Sequence, residues 1–194
     1  AGATIDDLVK IVTYISDYTP EDRRTFGEAR TQVFGGEDLP ASTLLGVQSL
    51  VTDQYEIEMD AIAVVSDGAG EVADTEFIGP TSGFSQVVTT QGSGAKTIYI
   101  SGQVGSAGES LETQADQAYA SLRRQLEAAG ATPEDLVQLD IYIADYSQAD
   151  AAALGAAQRN GFPTENLPTT TLIGVESLYS STALIEIEGV AVVP

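Results

Sequence analysis

Hydrophobic and polar positions over residues 84–193 predict one complete α+β unit. The β-branched and aromatic runs, with their alternating positions, predict strands at 84–90, 97–101, 136–143, 170–178 and 183–193. Alanine, leucine and tyrosine recur every three or four positions over residues 115–129, which predicts an amphipathic helix that stops at Gly130. A second helix begins after Ser147. The order is ββα-β-α-ββ, with two helices packed on one sheet.

The chain also repeats itself without a gap, since residues 1–65 align with residues 129–193 and 29 of these 65 pairs are identical. This first segment, the short copy, predicts only the second half of a unit: a strand, a helix and two further strands, at 8–15, 20–34, 43–50 and 55–65. Residues 66–82 are polar and rich in glycine, which predicts a linker. We therefore expect a half unit at 1–65 and a complete unit, the long copy, at 83–194.

A half unit would present an unpaired strand edge and an uncovered apolar face. The chain begins Ala1-Gly2-Ala3 rather than with methionine. We therefore expect about 50–60 further residues before Ala1 in the gene, by analogy with the long copy, either removed by cleavage or present as a separate fragment that completes residues 1–65.

The composition excludes several kinds of chemistry. The chain has no histidine, cysteine or tryptophan, so thiolate and imidazole metal sites, disulfides and histidine-dependent catalysis are excluded. We expect no metal and no cofactor. Proton transfer would run through carboxylates, tyrosines, hydroxyls or water.

Eight basic residues against 29 acidic ones give a net charge of −21. Such a surface repels nucleic acid and anionic membranes. It indicates either adaptation to a very salty interior, where screening removes the self-repulsion, or an acidic protein from ordinary surroundings. We expect a cytoplasmic protein, with a secreted or periplasmic one as the alternative.

Several motifs together resemble the Rid (YjgF, reactive intermediate deaminase) family, which older nomenclature calls endoribonuclease L-PSP. They are Phe84-Ser85-Gln86-Val87-Val88, Ile100-Ser101-Gly102-Gln103, Leu126-Glu127-Ala128-Ala129-Gly130, Leu167-Pro168-Thr169-Thr170-Thr171 and Ile185-Glu186-Ile187-Glu188. The resemblance implies a chorismate-mutase-like fold and trimers with ligand clefts between subunits. It also implies, for the best-known members, hydrolysis of imines and enamines to keto acids and ammonia.

The resemblance assigns candidate site residues one by one. Gly102 matches the glycine of the Ser-Gly-Gln motif, and Glu186 matches the glutamate that positions the attacking water, with Glu58 as its equivalent in the short copy. Phe84 stands where the family has tyrosine. The arginine of the Pro-x-Arg-Ser motif, which grips a substrate carboxylate, is replaced by Thr170 and, in the short copy, by Ser42.

For some of these positions the sequence is compatible with more than one role. Glu186 would be catalytic, or simply one position of a half-buried strand. Gly102 would allow close backbone approach to a ligand or to a neighbouring strand. Arg123 and Arg124 would supply the missing cation, although their place on the helix surface favours exposure to solvent.

Loss of the arginine from both copies indicates an arginine-lacking branch of the family. A buried glutamate without a nearby cation disfavours an anionic imino acid. We therefore expect a protein that binds a small neutral or cationic molecule in clefts between Rid units, without standard imino-acid deaminase activity. The alternatives are an imine or enamine deaminase whose substrate lacks a carboxylate and, third, an endoribonuclease. We also expect a homo-oligomer with trimeric or pseudo-trimeric packing of Rid units.

Overall fold

A computed structural model of the protein describes residues 2–19, 21–36, 38–65, 74–92, 94–162 and 166–194. The strands of the short copy are β1 (Leu8–Ser16), β2 (Ala41–Val47) and β3 (Ile57–Ala63), and its helix is α1 (Asp22–Phe34). The following strands are β4 (Asp74–Pro80), β5 (Ser85–Gln91), β6 (Lys96–Val104), β7 (Leu136–Ala144), β8 (Thr169–Val175), β9 (Ser177–Leu178) and β10 (Ile185–Val193). The helices of the long copy are α2 (Leu111–Ala128) and α3 (Ala151–Gly161).

The strands form one ten-stranded sheet that runs through both copies. Its order is β3-β1-β2-β5-β6-β10-β7-β8, with β4 paired to β5 and β9 paired to β2. The two copies join at β2, which meets β5 at the parallel pair Ala41↔Ser85 and pairs antiparallel with β9 at Leu45↔Leu178 and Gly46↔Ser177. The short copy therefore continues the sheet of the long copy, and the predicted α+β fold is confirmed.

The long copy has the core that the helical and strand patterns predict. Leu122 and Leu126 of α2 are fully buried against Ile141 and Ile185 of the sheet. Tyr119 meets Phe162 edge to face, with ring centroids 5.2 Å apart. By contrast, the only buried residue of α1 is Arg30.

The equivalent strands of the two copies have the same bounds but different burial. β1 and β2, shifted by 128 residues, coincide with β7 and β8, and both pairs are parallel in the same register. Five of the seven residues of β2 are buried, whereas six of the seven in β8 are exposed. β2 packs against β5 and β6 of the long copy, while β8 lies at the edge of the sheet.

The structure differs from the predicted domain boundaries in one place. Residues 74–80, within the predicted linker, form β4 and pair antiparallel with β5. Thr75, Phe77 and their neighbours alternate in a strand pattern that the surrounding glycines obscured. Residues 66–73 of the predicted linker lie outside the described residues.

No helix in the described part of the chain is long and apolar enough to cross a membrane. Nor do three or more acidic residues come together there in an arrangement that could hold a metal ion.

Candidate functional site

A cleft of about 870 Å³ lies between the two copies. The short copy contributes one wall from α1 and β2, and the long copy contributes the other from β6, β10 and the turn before β5. Ser42, Phe84, Gly102 and Glu186, four of the predicted site residues, line this one cleft. The volume is in the range of pockets that hold small molecules.

The other two predicted site residues lie elsewhere. Thr170 is exposed on the edge strand β8, where its hydroxyl donates to the carbonyl of Pro168 at 3.2 Å. Glu58 is exposed on β3. Glu186 therefore shares its cleft with Ser42 of the short copy rather than with Thr170 of its own copy.

Glu186 is a buried carboxyl group that is only 4% exposed. It lies on β10 opposite Tyr142 of β7, and its Oε2 has no hydrogen-bond partner among the described residues. Burial, reinforced by the nearby charge of Glu188 and opposed by that of Lys10, raises the pKa of Glu186 to about 8. The group is therefore mostly protonated at neutral pH and can donate a hydrogen bond.

Gly102 gives the Glu186 carboxyl group its space. A Cβ atom on Gly102 would lie 1.6 Å from Oε1 of Glu186 and 2.5 Å from its Cδ. Any side chain at position 102 would displace the carboxyl group. The close approach predicted for Gly102 is thus made by a side chain of the neighbouring strand.

Ser42 is held in the cleft wall by hydrogen bonds across the junction of the copies. Its backbone N–H donates to the Ser101 hydroxyl at 2.7 Å, and that hydroxyl donates to the Ser85 carbonyl at 2.6 Å. The start of β2 is therefore attached to β5 and β6, the strands that carry the other wall of the cleft.

Arg30 of α1 is a cation of the cleft that was not predicted from the sequence. Its Nη1 donates to the Ser42 hydroxyl at 3.0 Å, and its Nε donates to the Gly83 carbonyl at 3.1 Å. Its Nη2 is buried without a hydrogen-bond partner among the described residues. A guanidinium group therefore lies beside Ser42, although the strand position itself carries no arginine.

Phe26 and Phe34 hold the Arg30 side chain between them. Their ring centroids lie 5.7 Å and 5.1 Å from Cζ of Arg30. All three residues are spaced by four along α1, which places them on one helix face. This spacing could have identified Arg30 from the sequence. An arginine that lies between two phenylalanines on one helix face is directed toward an apolar surface.

Arg123 and Arg124 of α2, the candidates to replace the missing cation, lie outside the cleft. Arg123 donates from Nη1 to the carbonyl of Gly161 at 3.0 Å, which joins α2 to the end of α3. Arg124 is exposed. Neither of them lines the cleft.

A buried ion pair lies beside the cleft and joins the two copies. Lys10 of β1 donates to Glu188 of β10 at 2.6 Å and to the carbonyl of Ile100 at 3.0 Å. Thr43 donates to the same carboxylate, and Tyr142 donates to its other oxygen at 3.3 Å. Both charges are therefore well satisfied, which a buried ion pair requires.

Comparison with known proteins adds relatives for the long copy. The profile of the family described as endoribonuclease L-PSP matches residues 75–193, so the match begins within the predicted linker, at β4. A 2-iminobutanoate/2-iminopropanoate deaminase of Dermatophagoides farinae is 28% identical over 121 residues, which are 59% of this chain and 88% of the relative.

Solved structures show the same likeness. A YjgF/YER057c/UK114 family member from Mycobacterium tuberculosis is 28% identical, with a TM-score of 0.50 over 57% of this chain and 87% of its own. A YjgF family member from Neisseria meningitidis is 23% identical and shares the fold, with a TM-score of 0.56 over 63% of this chain and 97% of its own.

Proposed function

Because the chain belongs to the endoribonuclease L-PSP family, which includes the Rid (YjgF) proteins, we propose that it binds a small molecule in the cleft between its short and long copies. The observation that carries this proposal is a pair of buried polar atoms without partners among the described residues, Nη2 of Arg30 and Oε2 of Glu186, on two residues that line one cleft of about 870 Å³. Buried polar groups of a folded protein are nearly always hydrogen-bonded. Two unsatisfied groups in one cleft favour a ligand that satisfies them.

The presence of Arg30 changes the expected ligand. An anion was disfavoured because the family arginine is absent from the strand, but Arg30 supplies a guanidinium group from the helix. A protonated Glu186 does not repel an anion. Loss of the strand arginine alone therefore does not argue against an anionic ligand.

Binding is tested by thermal unfolding with hexanoate, hexanamide and hexylamine, which are anionic, neutral and cationic probes of one length. We expect at least one probe to stabilise the wild-type protein, because a ligand that binds only the folded state raises its stability. The Gly102→Ala variant should lose this effect, because the new methyl group displaces the Glu186 carboxyl group.

Gly155→Ala is the matched control, since Gly155 lies on α3 outside the cleft and a Cβ atom there meets only the end of the Arg159 side chain. Equal stabilisation of the wild-type and Gly102→Ala proteins would contradict the proposed site. So would a complete lack of stabilisation by all three probes.

Hydrolysis of an imine or enamine is the second candidate function, favoured by the protonation state of Glu186. A carboxyl group with a pKa of about 8 can donate a proton to the imine nitrogen and then, as a carboxylate, accept one from the attacking water. Water adds to the carbon of the C=N bond. A second proton then passes to the nitrogen as the new hydroxyl group loses its own, so breakage of the C–N bond releases ammonia and leaves a carbonyl compound. The relative from Dermatophagoides farinae is named for such a reaction.

Ammonia release from freshly generated 2-aminoacrylate tests this candidate. If the protein is a deaminase, release is faster than in the uncatalysed control, Glu186→Gln removes the acceleration, and Glu127→Gln, an exposed change on α2, retains it. If the wild-type rate equals the uncatalysed rate, the cleft has a binding function without this chemistry.

A further inference from the structure

We propose that the ligand of the cleft is a small dicarboxylate, with one carboxylate on Arg30 and the other on Arg23. This inference rests on the proposed function and names the ligand class of the same site. It reverses the expectation of a neutral or cationic ligand, which was based on the strand positions alone.

The charge of the cleft wall is unusual for this chain. Basic residues number eight against 29 acidic ones, yet Arg23 and Arg30 both line the cleft. Neither forms an ion pair, because the pairs within the described residues are Lys10–Glu188 and Arg24–Glu28. Of the two acids that line the cleft, Glu28 contacts Arg24 and Glu186 is mostly protonated at neutral pH. Within the part of the chain that the structure describes, two guanidinium groups of the cleft therefore lack a negative partner.

The two arginines lie on one face of α1. They are seven residues apart, which is about two helical turns and about 10 Å along the axis. Arg30 is held by Gly83 and Ser42, and Arg23 lies over the Tyr179 ring, 4.4 Å from its centroid. Phe26 and Gly27, between them on the helix, also line the cleft. The wall thus presents two cationic ends and an apolar middle.

A dicarboxylate matches this arrangement. Its two carboxylates are separated by an apolar chain, and each can accept parallel hydrogen bonds from a guanidinium group. A single phosphate group places its charge at one point and would reach only one of two separated arginines. A monocarboxylate would likewise leave one arginine without a partner.

The internal repeat shows that the fold does not require these arginines. The positions equivalent to Arg23 and Arg30 in the long copy are Ala151 and Gln158, and α3 forms there without them. Arg30 is also only 8% exposed, with one nitrogen unsatisfied, so the unliganded protein bears an uncompensated desolvation cost at this residue. A bound carboxylate would offset that cost.

Isothermal titration with adipate and hexanoate tests the proposal. We expect the wild-type protein to bind adipate at least tenfold more tightly than hexanoate. Arg23→Gln should reduce this preference to less than threefold and leave the hexanoate affinity within twofold. Arg30→Gln should weaken both ligands tenfold or more, and Arg30→Lys should weaken them less, since it keeps the charge and loses the bidentate fork.

Arg124→Gln is the matched control, because it removes the same charge from an exposed position of α2 that does not line the cleft. It should keep the tenfold preference. Equal affinities of the wild-type protein for adipate and hexanoate would overturn the proposal, as would an Arg124→Gln variant that loses the preference like Arg23→Gln. If Arg30→Gln fails to fold, as judged by circular dichroism, the exposed Arg23 position still decides the outcome.

Adipamide separates failure of this inference from failure of the proposed function. If adipamide binds, its binding is lost in Gly102→Ala and neither acid binds, the cleft is a ligand site and the dicarboxylate assignment is wrong. If adipate, hexanoate and adipamide all fail to bind and hexylamine gives no thermal stabilisation, both proposals are contradicted.

Discussion

Glu186 combines deep burial with the lack of a direct cationic partner among the described residues. Because the pKa of Glu186 is raised in the folded state, the free energy of unfolding depends on pH. The folded state keeps the Glu186 proton up to a pH of about 8, whereas the unfolded chain loses it near 4.5, the ordinary pKa of a glutamate. Between these values the folded state binds more protons than the unfolded state, so stability falls as pH rises.

Glu186→Gln should remove this part of the pH dependence. At pH 5 the variant and the wild-type protein should differ little in the free energy of unfolding. At pH 8 the variant should be more stable by about 4 kcal/mol, because glutamine remains neutral in the same site. Urea unfolding at both pH values measures the difference, and an equal effect of the substitution at pH 5 and pH 8 would contradict the raised pKa.

Residue-level prediction from the sequence succeeded for residues that belong to short motifs. Gly102 and Glu186 occur in recognisable strand sequences, and the structure places them in contact. Arg30 was missed because it lies on a helix of the other copy, twelve positions before Ser42. Its contribution depends on how two copies dock, which no local pattern describes.

Equivalent strands of the two copies have similar hydrophobic patterns but lie in different environments. β2 and β8 are identical at four of their seven positions and have the same length and the same register against β1 and β7, but only β2 meets the β5–β6 hairpin. Alternation along a strand indicates which residues share a face, whereas the partner of that face is set by tertiary packing. The sequence therefore predicted both strands and could not predict that Ser42, rather than Thr170, would face Glu186.

The Lys10–Glu188 pair connects these elements. Lys10→Met should destabilise the protein by about 3–5 kcal/mol, since it leaves the Glu188 carboxylate buried without its cation. The double change Lys10→Met with Glu188→Gln should recover much of this loss, because a neutral amide can still bond to Thr43 and Tyr142. Denaturant unfolding of both variants measures the recovery, and a double variant no more stable than Lys10→Met would argue against the pair as the cause.

At the scale of the whole molecule the net charge of −21 dominates. Repulsion between acidic side chains opposes the compact state and is screened within about 10 Å at 0.1 M salt and about 3 Å at 1 M. We therefore predict that the melting temperature rises markedly between low salt and molar potassium chloride. A melting temperature that stays flat over this range would contradict adaptation to a salty interior.

The edge strands of the sheet expose apolar residues that favour association between chains. β3 is exposed along its whole length, and Ile57, Met59 and Ile173 are large apolar residues exposed on the edge strands β3 and β8. Exposed apolar strands of this kind favour association. They support the proposal of trimeric or pseudo-trimeric packing, for which sedimentation velocity should give a mass above the 20.2 kDa of one chain.

The central claim is that the cleft between the short and long copies is the ligand site. A crystal structure of the protein grown with adipate tests it most directly. We predict density for adipate between α1 and β10, with one carboxylate on Nη2 of Arg30 and the apolar chain beside Phe26. A cleft that holds only water, in crystals grown at an adipate concentration that saturates binding in solution, would contradict the claim.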